Sequence, residues 1–524
     1  MSVGLSIFLG IVLVFILHAT LGMKVAIIGG GVSGLACARA LSKLCPAPAA
    51  VTVFDTGKRS VGGRCSSREV IIEDENIIVD HAAQYIRVNS HSHPSFREFI
   101  ENNAREGDLR AFKTSCIGEI DEDFQLSAVA GKHTTCPSSM SMNYAAPQGM
   151  GHFTKECLAK DLDSGVIYED VWINKLVKKG DSTKWNVYGK GKLYGEYDKV
   201  VIAHNGKCAD RLVSSLSRRV PAIHERLKVN FGPNIKSMRK MHLCSLFVLA
   251  FVIPRGSICI DDRFTDQFAF EVKRRANNDD NNDGKRINSL SWICNTSRKI
   301  QAGNEERDRK YESWTLISTK EYAGRNKVPQ EAIPPEDEMR ISKELLSDFQ
   351  RCLSGGSTVS TNSIMDDLKF SKLQLWGAAI PLNRLNCPFL YDGKEGIGVC
   401  GDWFDTCSGV GPSIETAFVS GTYLAQHIID NDRTDAYLED NQYCYEAVIG
   451  QSSLGDVNVD IDEASEDREV LKGPMLNPIE FAAKTNSRRP TQQSDKSSVT
   501  SGGDRDKGRK RRTGGKNNSG RDDI

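Results

Sequence analysis

The stretch VAIIGGGVSG, residues 25–34, decides how this chain is read. An apolar strand runs directly into Gly29, Gly30 and Gly31, and a helix opens by Gly34. Gly29 permits a tight turn, Gly31 lets the backbone approach a pyrophosphate, and Gly34 lets helix and strand pack closely. Val32 and Ser33 then fall at the helix start, where unpaired N–H groups and the positive dipole end face an anion. The next apolar run, VTVF at residues 51–54, ends at Asp55. That acid lies 55 − 34 = 21 residues past the last glycine, where a carboxylate accepts hydrogen bonds from ribose hydroxyls. A G-x-G-x-x-G alone is weak. With a strand before it, a helix after it and an acid at this spacing, it is a dinucleotide-binding fingerprint.

Working outward, 524 residues accommodate two or three domains with ample buried core. Lys plus Arg and Asp plus Glu both total 68, so charge gives the body no attraction for nucleic acid or membrane. Fifteen cysteines are scattered without C-x-x-C pairs, which argues against a zinc site or a thioredoxin-like motif. Several of them, Cys37 among them, are expected to be small buried hydrophobes. His81, His91 and His93 lack the carboxylate–histidine spacing of a metal site, so none is expected. Asn295-Thr296-Ser297 fits a glycosylation acceptor, a triplet common by chance.

Residues 1–22 are apolar and uncharged, with a core over 5–17. That core is too short for a comfortable membrane span and suits a signal-peptide h-region, although a positive n-region is missing. The first strand starts near Lys24, which leaves a spanning helix almost no linker and makes cleavage the better reading. It favours the secretory pathway or an organelle, with no membrane association after processing. If translation starts at Met23, a soluble cytoplasmic protein is expected instead.

The remaining pattern divides the chain into alternating stretches. Residues 23–100 form the first part of the dinucleotide-binding domain and 101–149 the first part of a substrate domain. Residues 150–210 return to the nucleotide domain, with a helix near 152–160, strands near 165–168, 171–173 and 185–188, and a buried strand over 197–203. Residues 211–380 are the second substrate part, with strands near 243–253, 289–294 and 312–318 and a helix near 337–352. Residues 381–451 close the nucleotide domain with a strand at 396–402 and a helix from Pro412. In that helix Ile414, Ala417, Phe418, Gly421, Leu424, Ala425 and Ile428 make one apolar stripe. Residues 277–284 (NNDDNNDG) read as a polar insertion. Residues 452–524 read as a disordered tail whose basic cluster at 507–512 is most simply a solvated charge run. The expected class is α/β: a discontinuous Rossmann-like domain with an inserted α+β domain of mixed or antiparallel sheet.

The segments around Gly62-Gly63-Arg64, Asp80-His81-Ala82-Ala83-Gln84-Tyr85 and Gly401-Asp402 with the helix after Pro412 resemble the FAD-dependent amine-oxidase superfamily. The run at residues 144–150, Ser291-Trp292 and Leu375-Trp376 make renalase-like proteins the nearer resemblance within it. The resemblance covers residues 24–430 in scattered blocks and implies an FAD cofactor. It implies that Gly63 passes close to the pyrophosphate while Arg64 clamps it. It also implies that Gly401 and Asp402 meet the ribityl or pyrophosphate part. Ser413, Ile414 and Ala417 would then bring a helix start to the flavin N1/C2 edge, where the dipole stabilises an anionic reduced ring. Glu415 either touches FAD or complements that dipole.

Three departures stand out: an aspartate at 55 where glutamate is usual, Gly377-Ala378-Ala379 where an aromatic usually follows the tryptophan, and no arginine just before Glu415. What the resemblance implies is an FAD-dependent oxidoreductase. It takes a hydride from a reduced nicotinamide species or an amine and returns the electrons to dioxygen or another acceptor. Trp292 and Trp376 are candidates for the pocket wall, and no catalytic base is identified. Two rivals share the fold: a carotenoid-desaturase-like lipid oxidoreductase, and a binding protein like the GDP-dissociation inhibitors. The fold alone does not choose among them.

Overall fold

The computed structural model describes residues 22–447, apart from 46–48, 122, 129–140, 161, 163–165, 181, 259–265, 274–288, 301–308, 356–361, 407–410, 432–433 and 439–444. Contacts divide the chain into one unit over Met1–Ile461 and a second over Asp462–Ile524, which lies wholly outside the described residues. Residues 1–21 of the apolar leader, the 277–284 insertion and the charged tail with its 507–512 cluster also lie outside them.

One sheet has six strands in the order Val166–Tyr168, Ala50–Phe54, Lys24–Ile28, Lys199–Ile202, Ile397–Val399, Leu390–Asp392. The first five run parallel and the last is antiparallel. Strands drawn from three distant stretches thus share one sheet, the discontinuous arrangement expected. Val25 and Ile27 face one apolar cluster, and Ala26 and Ile28 another. A parallel strand buried on both faces needs such a continuous apolar run.

The Val32–Leu44 helix covers the first face with Leu35, Ala38 and Leu41. Alongside it lies the Ile414–Asp430 helix, whose stripe of Ile414, Ala417, Phe418, Gly421, Leu424, Ala425 and Ile428 is buried. The two helices touch backbone to backbone: a Cβ on Gly421 would stand 2.1 Å from the Ser33 carbonyl oxygen. A three-stranded antiparallel sheet over Lys175–Val177, Trp185–Gly189 and Lys192–Tyr197 covers the other face with Leu176, Trp185, Val187 and Tyr197.

A second, mixed sheet is built around the 14-residue strand Met241–Pro254. That strand runs parallel to Val229–Phe231 and antiparallel to Tyr311–Ser318 and Phe370–Pro381. The sheet continues through Leu290–Asn295, Ala269–Val272, Ile117–Ile120 and Leu126–Ala128. The helix Pro335–Leu353 packs on it, with Phe349 5.0 Å from the Trp314 ring and 5.6 Å from the Phe251 ring.

Residues 171–173 are not a strand, although the apolar run Val171-Trp172-Ile173 suggested one. Val171 and Ile173 do bury their side chains, but the Val171 N–H goes to the Asp55 carbonyl at 2.8 Å and Asp170 to Gly57 at 2.9 Å. The backbone there fastens the loop after Asp55, and strand pairing begins only at Lys175. The helix expected at 152–160 begins as Met150–His152 and continues as a wider π-turn over Phe153–Leu158. Cys37 is fully buried, as expected, and burial pushes its thiol well above its ordinary value. Asn295 is also buried and its amide donates to Glu312 at 3.0 Å, which leaves no exposed acceptor for a glycan. Among the described residues no helix is long and apolar enough to cross a membrane.

Candidate functional site

A cleft of about 190 Å³ opens at the carboxyl ends of the parallel strands. It sits where strand order reverses beside Lys24–Ile28, the usual position for ligands on such sheets. Its lining comes from eight separate stretches: Gly29 and Gly31–Ser33, Asp55–Thr56, Gly62–Cys65, Ala83, Ala203–Asn205, Trp376 with Ala378 and Ile380, Gly401–Asp402, and Pro412–Ile414 with Ala417. Both helix starts, at Val32 and at Ile414, therefore open into one space.

The glycine turn is built by close approach. Gly29 has φ +118°, and a Cβ there would meet the Ala203 carbonyl oxygen at 2.7 Å. A Cβ on Gly34 would stand 1.9 Å from the Gly29 carbonyl oxygen, so Gly34 serves helix–strand packing and does not line the cleft. A Cβ on Gly31 would meet nothing within 4 Å, which leaves the turn open on its ligand side. Gly31 gives the first helix no side-chain cap and the first turn holds no acid. Its leading N–H groups are left for an anion.

Asp55 is oriented by two backbone donors, Gly30 N–H to Oδ2 at 2.8 Å and Gly57 N–H to Oδ1 at 2.7 Å. Burial pushes its carboxyl above the usual range against the pull of those two hydrogen bonds. Opposite stands Arg64, whose Nη1 and Nη2 donate to Asp402 Oδ2 and Oδ1 at 2.8 and 2.7 Å. Nη1 also donates to the Ala379 carbonyl at 2.6 Å. Burial works against the guanidinium charge, and Asp402 more than offsets it, holding Arg64 above its ordinary value. Gly63 lies in the short helical turn just ahead, and Gly401 beside Asp402.

Ser413 caps the second helix, its hydroxyl accepting from Thr416 N–H at 3.0 Å. Glu415 turns away from the cleft lining. Its Oε1 accepts from His93 N–H at 2.7 Å and its Oε2 from Ser92 Oγ at 2.9 Å. The two tryptophans separate as well. Trp376 lines the cleft with an indole N–H that has no partner among the described residues. Trp292 is buried in the core, tilted against Tyr85 at 5.7 Å, away from the lining.

Sequence reasoning missed the contribution of residues 203–205. The signal was available: the run ending at Ala203 is a buried parallel strand like the first one, so its carboxyl end falls beside the glycine turn. It also missed what Asp80 does. The Asp80 Oδ2 pairs with Lys299 Nζ at 2.5 Å with both side chains fully buried. Its Oδ1 accepts from Ser67 Oγ and, at 2.8 Å, from Met150 N–H. The following loop then bonds the arginine segment, with Ala83 N–H to the Arg64 carbonyl at 2.9 Å and His81 N–H to the Ser66 carbonyl at 3.2 Å. Among the described residues no group of three or more His, Cys, Asp or Glu gathers to hold a metal.

Residues 27–102 match the family profile of the NAD(P)-binding Rossmann-like domain. No curated protein matches this chain. Among solved structures, one from Exiguobacterium sp. 255-15, provisionally named a protoporphyrinogen oxidase, is 10% identical. It aligns over 78% of this chain and 98% of its own at a TM-score of 0.48.

Proposed function

We propose that this chain is an FAD-dependent oxidoreductase that takes a hydride from a small donor, a reduced nicotinamide species or an amine. The observation that carries the reading is the Arg64–Asp402 fork standing in one cleft with two helix starts. A simple nicotinamide site needs the glycine turn and its acid. The second helix start and the half-open fork provide for a longer ligand whose far end is a ring system. The donor set fits such a group: uncapped N–H groups and an open Gly31 for the pyrophosphate, and Asp55 for a ribose. A bound flavin supplies the redox step, removing two electrons with a proton from the donor and passing them to dioxygen or another acceptor.

The residues of the chain do the rest. The first helix start holds the pyrophosphate. Asp402 keeps Arg64 charged and aimed, and Arg64 presents positive charge along the same edge. The Ser413 cap fixes the N-terminus of the second helix, whose dipole favours negative charge on a ring placed there. Trp376 gives the far end an aromatic wall with one free donor.

The test is the absorption spectrum of the purified full-length chain. Bands of oxidised flavin, bleached without oxygen by a reduced nicotinamide or an amine, are expected. A colourless protein that cannot be reconstituted with FAD overturns the proposal and leaves a binding protein of the GDP-dissociation-inhibitor kind. Bleaching only by an isoprenoid lipid would turn it toward the desaturase-like reading.

A further inference from the structure

We infer that His204 is a direct hydrogen-bonding contact to the adenosine-diphosphate half of the dinucleotide, an inference that rests on the function proposed above. The residue follows the strand Lys199–Ile202 and lines the cleft. Its Nδ1 is buried without a hydrogen-bond partner among the described residues. A buried unpaired imidazole nitrogen is costly, and native proteins keep such groups where a ligand completes the bond. The Trp172 ring lies against the imidazole, tilted at 6.3 Å, and a Cβ on Gly29 would stand 3.0 Å from His204 Cδ2. Burial pushes the imidazole down to about 4, so at neutral pH it is uncharged, with one donor and one acceptor nitrogen.

Position assigns the half of the ligand. Gly29 and Gly30 are flanked by two groups. A Cβ on Gly30 would meet Asp55 Cβ at 2.9 Å, and one on Gly29 would meet the 203–204 segment. His204 and Asp55 therefore stand on either side of the phosphate-binding turn. Arg64, Asp402 and Ala379 form a separate group joined by their own hydrogen bonds. A ligand threaded from the turn to that group meets His204 through its adenosine and first phosphates. Helix geometry adds a reason for the site to persist. Asn205 caps the helix Gly206–Ser214 by accepting from Cys208 N–H, which fixes the backbone directly after the histidine.

The experiment titrates full-length wild-type, His204→Leu and His204→Gln proteins, each freed of bound flavin, with FAD, ADP and FMN. Binding is followed by flavin fluorescence quenching and, for ADP, by calorimetry. His204→Leu is expected to weaken FAD and ADP about tenfold each and to leave FMN, which lacks the adenosine half, unchanged. His204→Gln is expected to recover most of the loss, because its amide again offers a donor and an acceptor. Leucine also removes the orphaned nitrogen, so the ligand-free melting temperature is expected to stay level or rise. A merely structural histidine would give a fall instead. Equal affinity of wild type and the leucine variant for FAD and ADP overturns the inference, as does equal weakening of FMN. A wild-type protein that binds none of the three overturns the proposed function, and the inference with it. Should the leucine variant fail to fold, His204→Phe, which keeps a flat ring and loses both nitrogens, takes its place: about tenfold weaker FAD and ADP with FMN unchanged upholds the contact, and wild-type affinity for FAD and ADP overturns it.

Discussion

Two ion pairs in this molecule use the same chemistry to different ends. Arg64–Asp402 stands in the cleft with side chains 27% and 9% exposed, while Lys299–Asp80 is sealed with both side chains at 0%. Around Asp80 every direction is filled: Lys299, Ser67 and Met150 N–H meet its oxygens, and Thr315 Oγ1 donates to its carbonyl. Around Arg64 the cleft remains. A saturated pair inside protein defines where loops sit, and a half-open pair can respond to a ligand. The sealed pair serves the open one, since the loop after Asp80 hydrogen-bonds the backbone of Arg64 and Ser66.

The sharpest way to break this comparison is to empty one side of the sealed pair. Lys299→Met leaves a carboxylate buried without its cation, and about 3–5 kcal/mol of stability should be lost in denaturant unfolding. Adding Asp80→Asn removes the stranded charge, so the double variant should be more stable than Lys299→Met alone. A double variant that is less stable would mean Asp80 holds the loop through Ser67 and Met150 and not through the ion pair. Next in size is the open pair. Arg64→Ala leaves Asp402 facing a wet cleft, so stability should fall by only on the order of 1 kcal/mol. Flavin retention, measured by dialysis and fluorescence, should fall more than about tenfold, as expected for loss of a charged donor. Unchanged flavin occupancy would take Arg64 out of the site and leave the two pairs equivalent.

What the sequence made legible was local. The strand end, the glycine turn and the helix start occupy ten adjacent residues, 25–34, and the late helix shows its buried stripe at regular spacing, so short-range pattern was enough. The sealed pair joins residues 219 positions apart, and nothing in the spacing of Asp80 or Lys299 marks them as partners. The two tryptophans show the same limit. Trp292 and Trp376 lie on strands of one mixed sheet and pack on the same apolar cluster, yet Trp292 is sealed against Tyr85 while Trp376 reaches the cleft, a difference of place on the sheet that side-chain alternation does not report. Glu415 was legible as a first-turn acid, but not as the acceptor for Ser92 and His93, because helix phase is read from apolar residues and a polar one can face either way. The 171–173 run misled for a related reason: buried alternation reports where side chains go, not where backbone hydrogen bonds go.

A last measurement separates the two regions by a histidine beside each. His204 lies at the cleft, held near 4 by burial. His81 follows Asp80 and is also held near 4, by burial and by Arg68 and Arg59 against the pull of Asp80. In the unfolded chain both take up protons below about pH 6.5. The folded protein refuses them until about pH 4, so in that window the unfolded state binds more protons and stability falls as pH falls. Each histidine should contribute on the order of 2 kcal/mol to the loss between pH 6.5 and 4. His204→Leu and His81→Leu should each flatten the pH dependence of urea unfolding by a similar amount. Only the cleft variant should also weaken ADP. If His81→Leu weakened ADP as much, the sealed region would be part of the binding surface, and the division between a ligand-facing pair and a locked one would fail.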